Sequence, residues 1–313
     1  MSTIAAGPSP DATIELVNAS RWYGNIVAVN DISFALGPGI TGLLGPNGAG
    51  KSTILHMLSG FLKPSNGDVR ILGQPAWQNV ALYHQLGLVP EREAVYSFLT
   101  GTEFVELSAR LHRLPDPAGA ARKAIAAVEM GFAADRATGG YSKGMKQRIK
   151  VAAALVHDPE VLLLDEPFNG ADPRQRIQMM ALFRSLAAEG RTLVFSSHIL
   201  EEVERLAENV LVIVAGRLAA SGDFREIRKL MTDRPHTFTL RTSDNRKVAS
   251  TLIGDPSVFG VELDDDRVTV RTNQFAAFTS SISRLAQAGG ITLYELRPTD
   301  ESLESVFSYL VNR

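Results

Sequence analysis

The stretch Ile40-Thr-Gly-Leu-Leu-Gly45-Pro-Asn-Gly-Ala-Gly-Lys51-Ser-Thr53 decides the fold. Its apolar start predicts a buried strand that ends at Leu44, and the residues from about Gly50 to Phe61 predict a helix. The loop between them matches the pattern G-x-x-x-x-G-K-[ST]. Its glycines let several backbone N–H groups face one anion, and the helix N-terminus adds positive potential. We therefore favour a phosphate-binding loop over a tight turn with a chance lysine.

Every residue of this loop is a candidate for nucleotide binding: Gly45, Pro46, Asn47, Gly48, Ala49, Gly50, Lys51, Ser52 and Thr53. In such loops the lysine reaches the β- and γ-phosphates, and the serine hydroxyl can ligand Mg²⁺. The sequence therefore predicts that Lys51 and Ser52 hold the magnesium salt of a nucleotide.

A second apolar stretch, Val161–Leu164, is followed directly by Asp165 and Glu166. Asp165 is expected at the carboxyl end of a sheet strand, where it can hold the metal through water. Glu166 is expected to point elsewhere and to polarise the attacking water as a general base. A buried strand with a solvated acidic end is the plain alternative, and the phosphate loop earlier in the chain favours the catalytic interpretation.

Length and composition limit the possible functions. The chain has 313 residues, of which 45% are hydrophobic, with 32 basic and 34 acidic residues and no cysteine. This length predicts two domains at roughly 100–200 residues each. The formal charge of −2 argues against nucleic acid as a partner. The absence of cysteine excludes disulfides, thiol catalysis and cysteine-ligated metals.

The pattern along the chain predicts an α/β fold with a largely parallel sheet, followed by a smaller domain. We expect a disordered leader at 1–12, a main domain at 13–232 with a helical part at about 95–156, and an α+β domain at 233–313. The strands predicted in the main domain, besides the two above, are Thr13–Val17, Ile26–Leu36, Leu86–Val89, Thr192–Ser196 and Asn209–Val214. In the smaller domain the order β-α-β-β-α-β-α suggests a split βαβ module whose closing helix is Thr299–Val311.

Three further motifs are weak singly. Ser142 and Gly144, in Tyr141-Ser-Lys-Gly-Met145, offer a hydroxyl and backbone N–H groups to an anion. Asn169-Gly-Ala-Asp172 follows the acidic pair, and His198 follows the next strand. Ordinary helix caps at Ser142 and Asp172, and a surface histidine, are the plain alternatives. The order of the motifs favours the functional interpretation.

In this order the motifs resemble the nucleotide-binding subunit of ATP-binding-cassette (ABC) transporters, from about Thr13 to Leu230. GPNGAGKST is then the Walker A loop, VLLLDE the Walker B strand, YSKGM the signature, NGAD the D-loop and His198 the switch histidine. The resemblance implies a P-loop NTPase fold with a helical insertion, MgATP as the cofactor, and Glu166 and His198 as the catalytic residues.

In the family two subunits meet head to tail, and each closes the nucleotide site of the other. The contacts implied in trans are Ser142, Gly144, Met145 and Asp172, so a second copy of the chain is an expected partner. The resemblance also implies that Tyr23 stacks on adenine, with Trp22 as the rival aromatic. Neighbouring side chains of a strand point to opposite faces, so only one of the two is expected to stack.

Two positions depart from the commonest form of the family. Glu91 stands where many members have the Q-loop glutamine, and its carboxylate can reach Mg²⁺ through water but cannot donate a hydrogen bond. The signature is YSKGM instead of LSGGQ. Both spellings are typical of ABC-2-type exporters, as is a short C-terminal extension.

The resemblance therefore predicts an ATPase that powers export through a separate integral-membrane permease. Its location would be cytoplasmic, peripheral on the inner or plasma membrane. No run reaches the roughly 18 apolar residues that span a bilayer, so we expect another chain to supply the spans. The alternatives are an importer ATPase, a soluble ABC ATPase acting on ribosomes or DNA, and a regulatory module that binds ATP without turnover.

Two charged stretches have plainer interpretations. Lys143, Lys146, Arg148 and Lys150 favour a solvated helix start over a nucleic-acid patch, because no aromatic residue is interleaved. The acidic run Asp264–Asp266 favours a solvated turn over a cation site. We interpret the C-terminal domain as structural or regulatory, with a dimerisation surface as one possibility.

Overall fold

The computed structural model describes residues 12–92, 95–223, 236–264 and 266–298. The chain divides into two compact units, Met1–Gly222 and Asp223–Arg313. Within the described residues, every helix is too short or too polar to cross a bilayer. The predicted leader and the predicted closing helix Thr299–Val311 lie outside the described residues, apart from residue 12 of the leader.

A six-stranded sheet forms the centre of the first unit, in the order β10-β9-β3-β8-β7-β6. Neighbouring strands from β9 to β6 pair in parallel, and β10 is an antiparallel edge strand. The residues of β7 and β8 are all buried, which is why these strands are continuous runs of apolar and small residues. The strands are β3 Gly39–Leu44, β6 Leu86–Val89, β7 Val161–Leu164, β8 Thr192–Ser197, β9 Asn209–Val214 and β10 Arg217–Gly222.

A second sheet of the first unit is antiparallel, in the order β2-β1-β4-β5. Its strands are β1 Ile14–Tyr23, β2 Ile26–Leu36, β4 Asn66–Ile71 and β5 Gln74–Pro75. The expectation of one largely parallel sheet was wrong for this part of the chain. β4 and β5 have weak sequence signals, because four of the six residues of β4 are exposed and β5 has only two residues.

Helices cover the central sheet and form an insertion between β6 and β7. They are α1 Lys51–Leu58, α2 Gly101–Leu111, α3 Pro117–Ala127, α4 Lys143–Leu155, α5 Pro173–Ala188 and α6 Leu200–Leu206. The predicted helical stretch is present as α2, α3 and α4, which contact one another. These three helices begin at the side-chain caps Thr100, Asp116 and Ser142. Local sequence therefore determines where each helix begins.

The second unit is a four-stranded antiparallel sheet, in the order β12-β13-β11-β14, with two helices. Its elements are β11 His236–Thr242, α7 Asn245–Ile253, β12 Val258–Leu263, β13 Val268–Thr272, α8 Phe275–Ala288 and β14 Leu293–Pro298. The element order β-α-β-β-α-β agrees with the predicted split βαβ module. Phe238, Leu240, Val270, Phe278 and Ile282 lie in its core.

Candidate functional site

The predicted phosphate loop lies between β3 and α1, at the carboxyl end of a buried parallel strand. Gly48 and Gly50 have φ angles of 80° and 105°, which favour glycine. A side chain at Gly50 would come within 2.5 Å of the Ala28 carbonyl oxygen, and one at Gly45 would overlap the Ile213 carbonyl. The glycines therefore give this loop its curled backbone, and the first turn of α1 adds N–H groups that have no intrahelical acceptor.

Lys51, the first residue of α1, turns its side chain back into the loop. Its ammonium donates to the carbonyl oxygens of Gly45 at 2.8 Å and Pro46 at 3.3 Å, and it lies 4.0 Å from Glu166 Oε1. Burial lowers the pKa of Lys51, while the negative charges of Glu166, Asp165 and Glu91 oppose that shift. The cation is thus held at the point where the loop and the acidic pair meet.

The acidic pair follows β7, and both carboxylates are buried. Asp165 Oδ1 accepts a 2.6 Å hydrogen bond from the Ser196 hydroxyl, and the same hydroxyl accepts from the Glu166 backbone N–H at 2.8 Å. Glu166 has a φ angle of 48°, which turns its side chain toward the loop. The two carboxylates therefore belong to one site but contact different partners: Asp165 contacts Ser196, whereas Glu166 contacts Lys51 and His198.

Ser196 was not among the predicted site residues, although its side chain is fully buried between the two acidic residues. Its sequence signal was its place at the end of β8, directly before Ser197 and His198. Its hydroxyl fixes both the Asp165 carboxylate and the unusual backbone of Glu166.

His198 follows β8 and faces the acidic pair. Its Nδ1 lies 3.0 Å from both carboxylate oxygens of Glu166, although about half of the His198 side chain is exposed. Glu166 thus lies between a cation on one side and an imidazole on the other. The structure brings together the predicted general base and the predicted switch histidine.

The signature and the D-loop of the same chain pack against each other. A Cβ at Gly144 would overlap Gln175 Oε1 and would come within 3.1 Å of the Gly170 carbonyl oxygen. Ser142 and Asp172 cap α4 and α5, accepting from the N–H groups of Met145 at 3.2 Å and Gln175 at 2.8 Å. The plain interpretation as helix caps is therefore confirmed for both residues, while their contact with a partner's nucleotide stays a prediction; Ser142 and Asp172 are exposed.

The basic run of α4 is only partly solvated, so its interpretation as a solvated helix start was wrong. Arg148 and Lys150 are 6% and 4% exposed, whereas Lys143 is exposed. The Lys150 ammonium donates to the carbonyl oxygens of Pro90, Glu91 and Arg92 at 2.7, 3.4 and 3.1 Å. These carbonyls directly follow the end of β6, and together they bind the Lys150 ammonium. A hydropathy pattern would instead predict that Lys150 is exposed to solvent.

Two predicted nucleotide contacts lie on exposed segments. Glu91 is exposed, and its charge acts on Lys51 across the site. Tyr23 and Trp22 are 46% and 47% exposed, so burial does not separate the two aromatic candidates. The Arg21 guanidinium lies 4.8 Å from the centroid of the Tyr23 ring. The assignment of adenine to Tyr23 stays a prediction.

The residues fit a nucleotide with Mg²⁺. The curled glycine loop leaves no room for side chains at Gly45 and Gly50, and Lys51 supplies a buried cation. Oxygen donors for a hard cation are present in Ser52, Asp165 and Glu91.

Comparisons with known proteins agree with this geometry. The family described as ABC transporter matches residues 29–169. The bacitracin transport ATP-binding protein BcrA of Enterococcus faecalis is 33% identical over 95% of this chain and 96% of its own length. The Nod factor export ATP-binding protein I of Rhizobium meliloti (strain 1021) is 35% identical over 71% of this chain and 68% of its own length.

Solved structures give the same fold for the first unit. An ATP-binding subunit of an ABC transporter has a TM-score of 0.64 and 27% identity, covering 69% of this chain and 92% of its own. A bacterial ABC transporter cassette described as dimeric has a TM-score of 0.63 and 24% identity, covering 67% of this chain and 98% of its own. The chain therefore belongs to the ABC transporter family, as an ATPase subunit.

Proposed function

We propose that the chain hydrolyses MgATP as a dimer and thereby powers export through a separate membrane permease. The observation that carries the proposal is the Glu166 carboxylate, buried between the Lys51 ammonium at 4.0 Å and His198 Nδ1 at 3.0 Å. A carboxylate held in this way can orient and deprotonate a water molecule beside the phosphate loop.

The phosphate chain is bound by the loop Gly45–Thr53, with Lys51 as the cation nearest the transferred group. To reach the phosphates, the Lys51 ammonium must exchange its hydrogen bonds to Gly45 and Pro46 for phosphate oxygens. Mg²⁺ would be held by Ser52, Asp165 and Glu91. It would neutralise the negative charge that develops on the phosphates. Tyr23 would stack on the adenine ring.

Glu166 takes the proton of the attacking water, and His198 keeps the carboxylate in place. Since His198 Nδ1 is equally distant from both carboxylate oxygens, it limits rotation of the carboxylate. A fixed orientation matters because a misplaced base costs rate even where its pKa is suitable.

A second subunit would complete each site. A phosphate loop alone leaves the terminal phosphate half solvated, and water must be excluded for efficient catalysis. Ser142, Gly144, Met145 and Asp172 are proposed to close the site of the partner subunit. The exposure of Ser142 and Asp172 and the dimeric state of a similar cassette support this arrangement.

Export is proposed from the relatives, whose names record transport of bacitracin and export of Nod factor. The permease would contact the cassette at the cleft between the helical insertion and the central sheet, near Glu91. The chain would then lie peripherally on the cytoplasmic face of the inner or plasma membrane.

Co-purification tests the transport function directly. The tagged full-length chain, isolated from membranes in a mild detergent, is expected to carry a hydrophobic polypeptide of several spans in stoichiometric amount. Lys51→Ala serves as the matched control, since it should lose nucleotide binding but keep the partner. Recovery of the wild-type chain from the soluble fraction, without such a polypeptide, would contradict transport.

A further inference from the structure

An ion pair between a partly exposed arginine and a buried glutamate links the D-loop to the segment that carries His198. Arg176 in the first turns of α5 places Nη1 3.2 Å from Glu202 Oε1, and Glu202 belongs to α6. The other carboxylate oxygen of Glu202 accepts a 2.7 Å hydrogen bond from the Ser197 hydroxyl. Neither Arg176 nor Glu202 belongs to the motifs predicted from the sequence to carry chemistry.

At one end, the pair holds the backbone of the D-loop. Arg176 Nε donates to the Ala171 carbonyl oxygen at 3.2 Å. The Ala171 Cα lies 3.3 Å from the position that a Cβ on Gly144 would occupy, so D-loop and signature touch. We call Tyr141–Met145 together with Asn169–Asp172 the signature and D-loop unit. A displacement of this unit therefore moves the guanidinium of Arg176.

At the other end, the pair holds what we call the switch segment, Ser197–Ile199. The Ser197 hydroxyl donates to Glu202 and accepts from the Ile199 backbone N–H at 3.0 Å, so it bridges the residues on either side of His198. His198 in turn contacts the carboxylate of Glu166. The path from the D-loop to the general base is thus continuous.

Because Glu202 is buried, its ionised carboxylate depends on the contacts with Ser197 and Arg176. Glu202 is 5% exposed, and desolvation raises its pKa, while Ser197 and Arg176 oppose that shift. Removing one partner from a buried carboxylate costs far more free energy of folding than removing one from an exposed carboxylate. Separating Arg176 from Glu202 is therefore unfavourable.

We propose that Arg176 and Glu202 are positioning residues, which set His198 on Glu166 according to the position of the signature and D-loop unit. This inference rests on the proposed function, because that unit would contact the partner's nucleotide. When the partner subunit docks, the D-loop moves, and the ion pair carries the movement to the switch segment. Each site thereby responds to occupation of the opposite site.

Steady-state phosphate release by the full-length chain gives the first test. Glu202→Gln and Arg176→Gln are each expected to lower kcat at least about tenfold and to change KM less than about twofold, because the phosphate loop is untouched. Glu201→Gln is the matched control: it lies beside Glu202 on α6 and pairs with Arg205 at 2.7 Å at the surface. Its kcat is expected to stay within about twofold of wild type.

A double-substitution cycle distinguishes positioning from general support of the fold. If Glu202 acts through His198, adding Glu202→Gln to His198→Ala should lower kcat less than about twofold further. Independent losses that multiply would overturn the proposal.

A second readout does not depend on turnover. The ring resonances of His198 in the nucleotide-free chain are expected to shift on Glu202→Gln and on Arg176→Gln, and to stay in place on Glu201→Gln. Unchanged His198 resonances in both variants would overturn the inference. A wild-type chain that releases no phosphate, with those shifts present, would instead contradict the proposed function and leave the inference standing.

Discussion

Replacing Ser196 with alanine removes one hydroxyl and two hydrogen bonds at the centre of the site. The hydroxyl donates to Asp165 Oδ1 at 2.6 Å and accepts from the Glu166 N–H at 2.8 Å, and Ser196 is fully buried. A hydrogen bond to a charged group contributes about 1.5–3 kcal/mol, and an orphaned buried N–H costs about 1–3 kcal/mol. Allowing for relaxation, we expect Ser196→Ala to destabilise the first unit by about 3 kcal/mol.

The same substitution should lower activity, because the positive φ of Glu166 is held by that N–H bond. A general base displaced by about 1 Å loses on the order of 100-fold in rate, so we expect a 10- to 100-fold loss of kcat. KM for ATP should change little, since Lys51 and the phosphate loop do not contact Ser196.

Urea unfolding followed by fluorescence, together with steady-state phosphate release, measures both effects. Ser65→Ala is the control, because the Ser65 hydroxyl accepts a single exposed hydrogen bond, at 3.1 Å, from the Trp22 N–H. It should cost less than about 1 kcal/mol. A Ser196→Ala chain with wild-type stability and wild-type kcat would refute the role of this hydroxyl.

Three further predictions concern the contacts around this centre. Gly144→Ala should lower kcat at least about tenfold with unchanged nucleotide affinity, because its Cβ would come within 3.1 Å of the Gly170 carbonyl oxygen and 3.3 Å of the Ala171 Cα and so press the signature away from the D-loop backbone; nucleotide titration and phosphate release check this. Lys150→Met should destabilise the first unit by about 2 kcal/mol and speed amide hydrogen exchange at Glu91 and Arg92, because the carbonyls of residues 90–92 lose their cation. Burial lowers the pKa of His157 from 6.5 to about 4, so the unfolded chain binds the extra proton first as pH falls. Stability should therefore drop by up to about 2 kcal/mol between pH 7 and pH 5, and His157→Phe should flatten that dependence in urea titrations.

Elements with strong local signals could be predicted from sequence. The strands β3, β7 and β8 are continuous apolar runs, and α2, α3 and α4 begin at cap residues. The strands β4, β5 and β10 were missed because they are short or partly exposed. The place of β4 depends on pairing with β1, far earlier in the chain, which local sequence does not encode.

The residues of the site likewise divide into those that a local motif reveals and those that depend on distant contacts. The phosphate loop and the acidic pair follow local motifs, so their residues were found. Ser196 could not be found in this way, because its partner Asp165 lies 31 residues away in sequence. Lys150 is buried because three carbonyls converge on it from a loop about 60 residues earlier. Hydropathy patterns carry no information about such convergence.

The central claim, that Glu166 is the base of a dimeric ATPase, is tested most directly by phosphate release at saturating MgATP for wild type and Glu166→Gln. The amide keeps the shape of the side chain but cannot take a proton. We predict steady turnover by the wild type, a loss of at least about 100-fold in the variant, and an ATP-dependent dimer of the variant on sizing. Equal phosphate release by the two chains would contradict the claim.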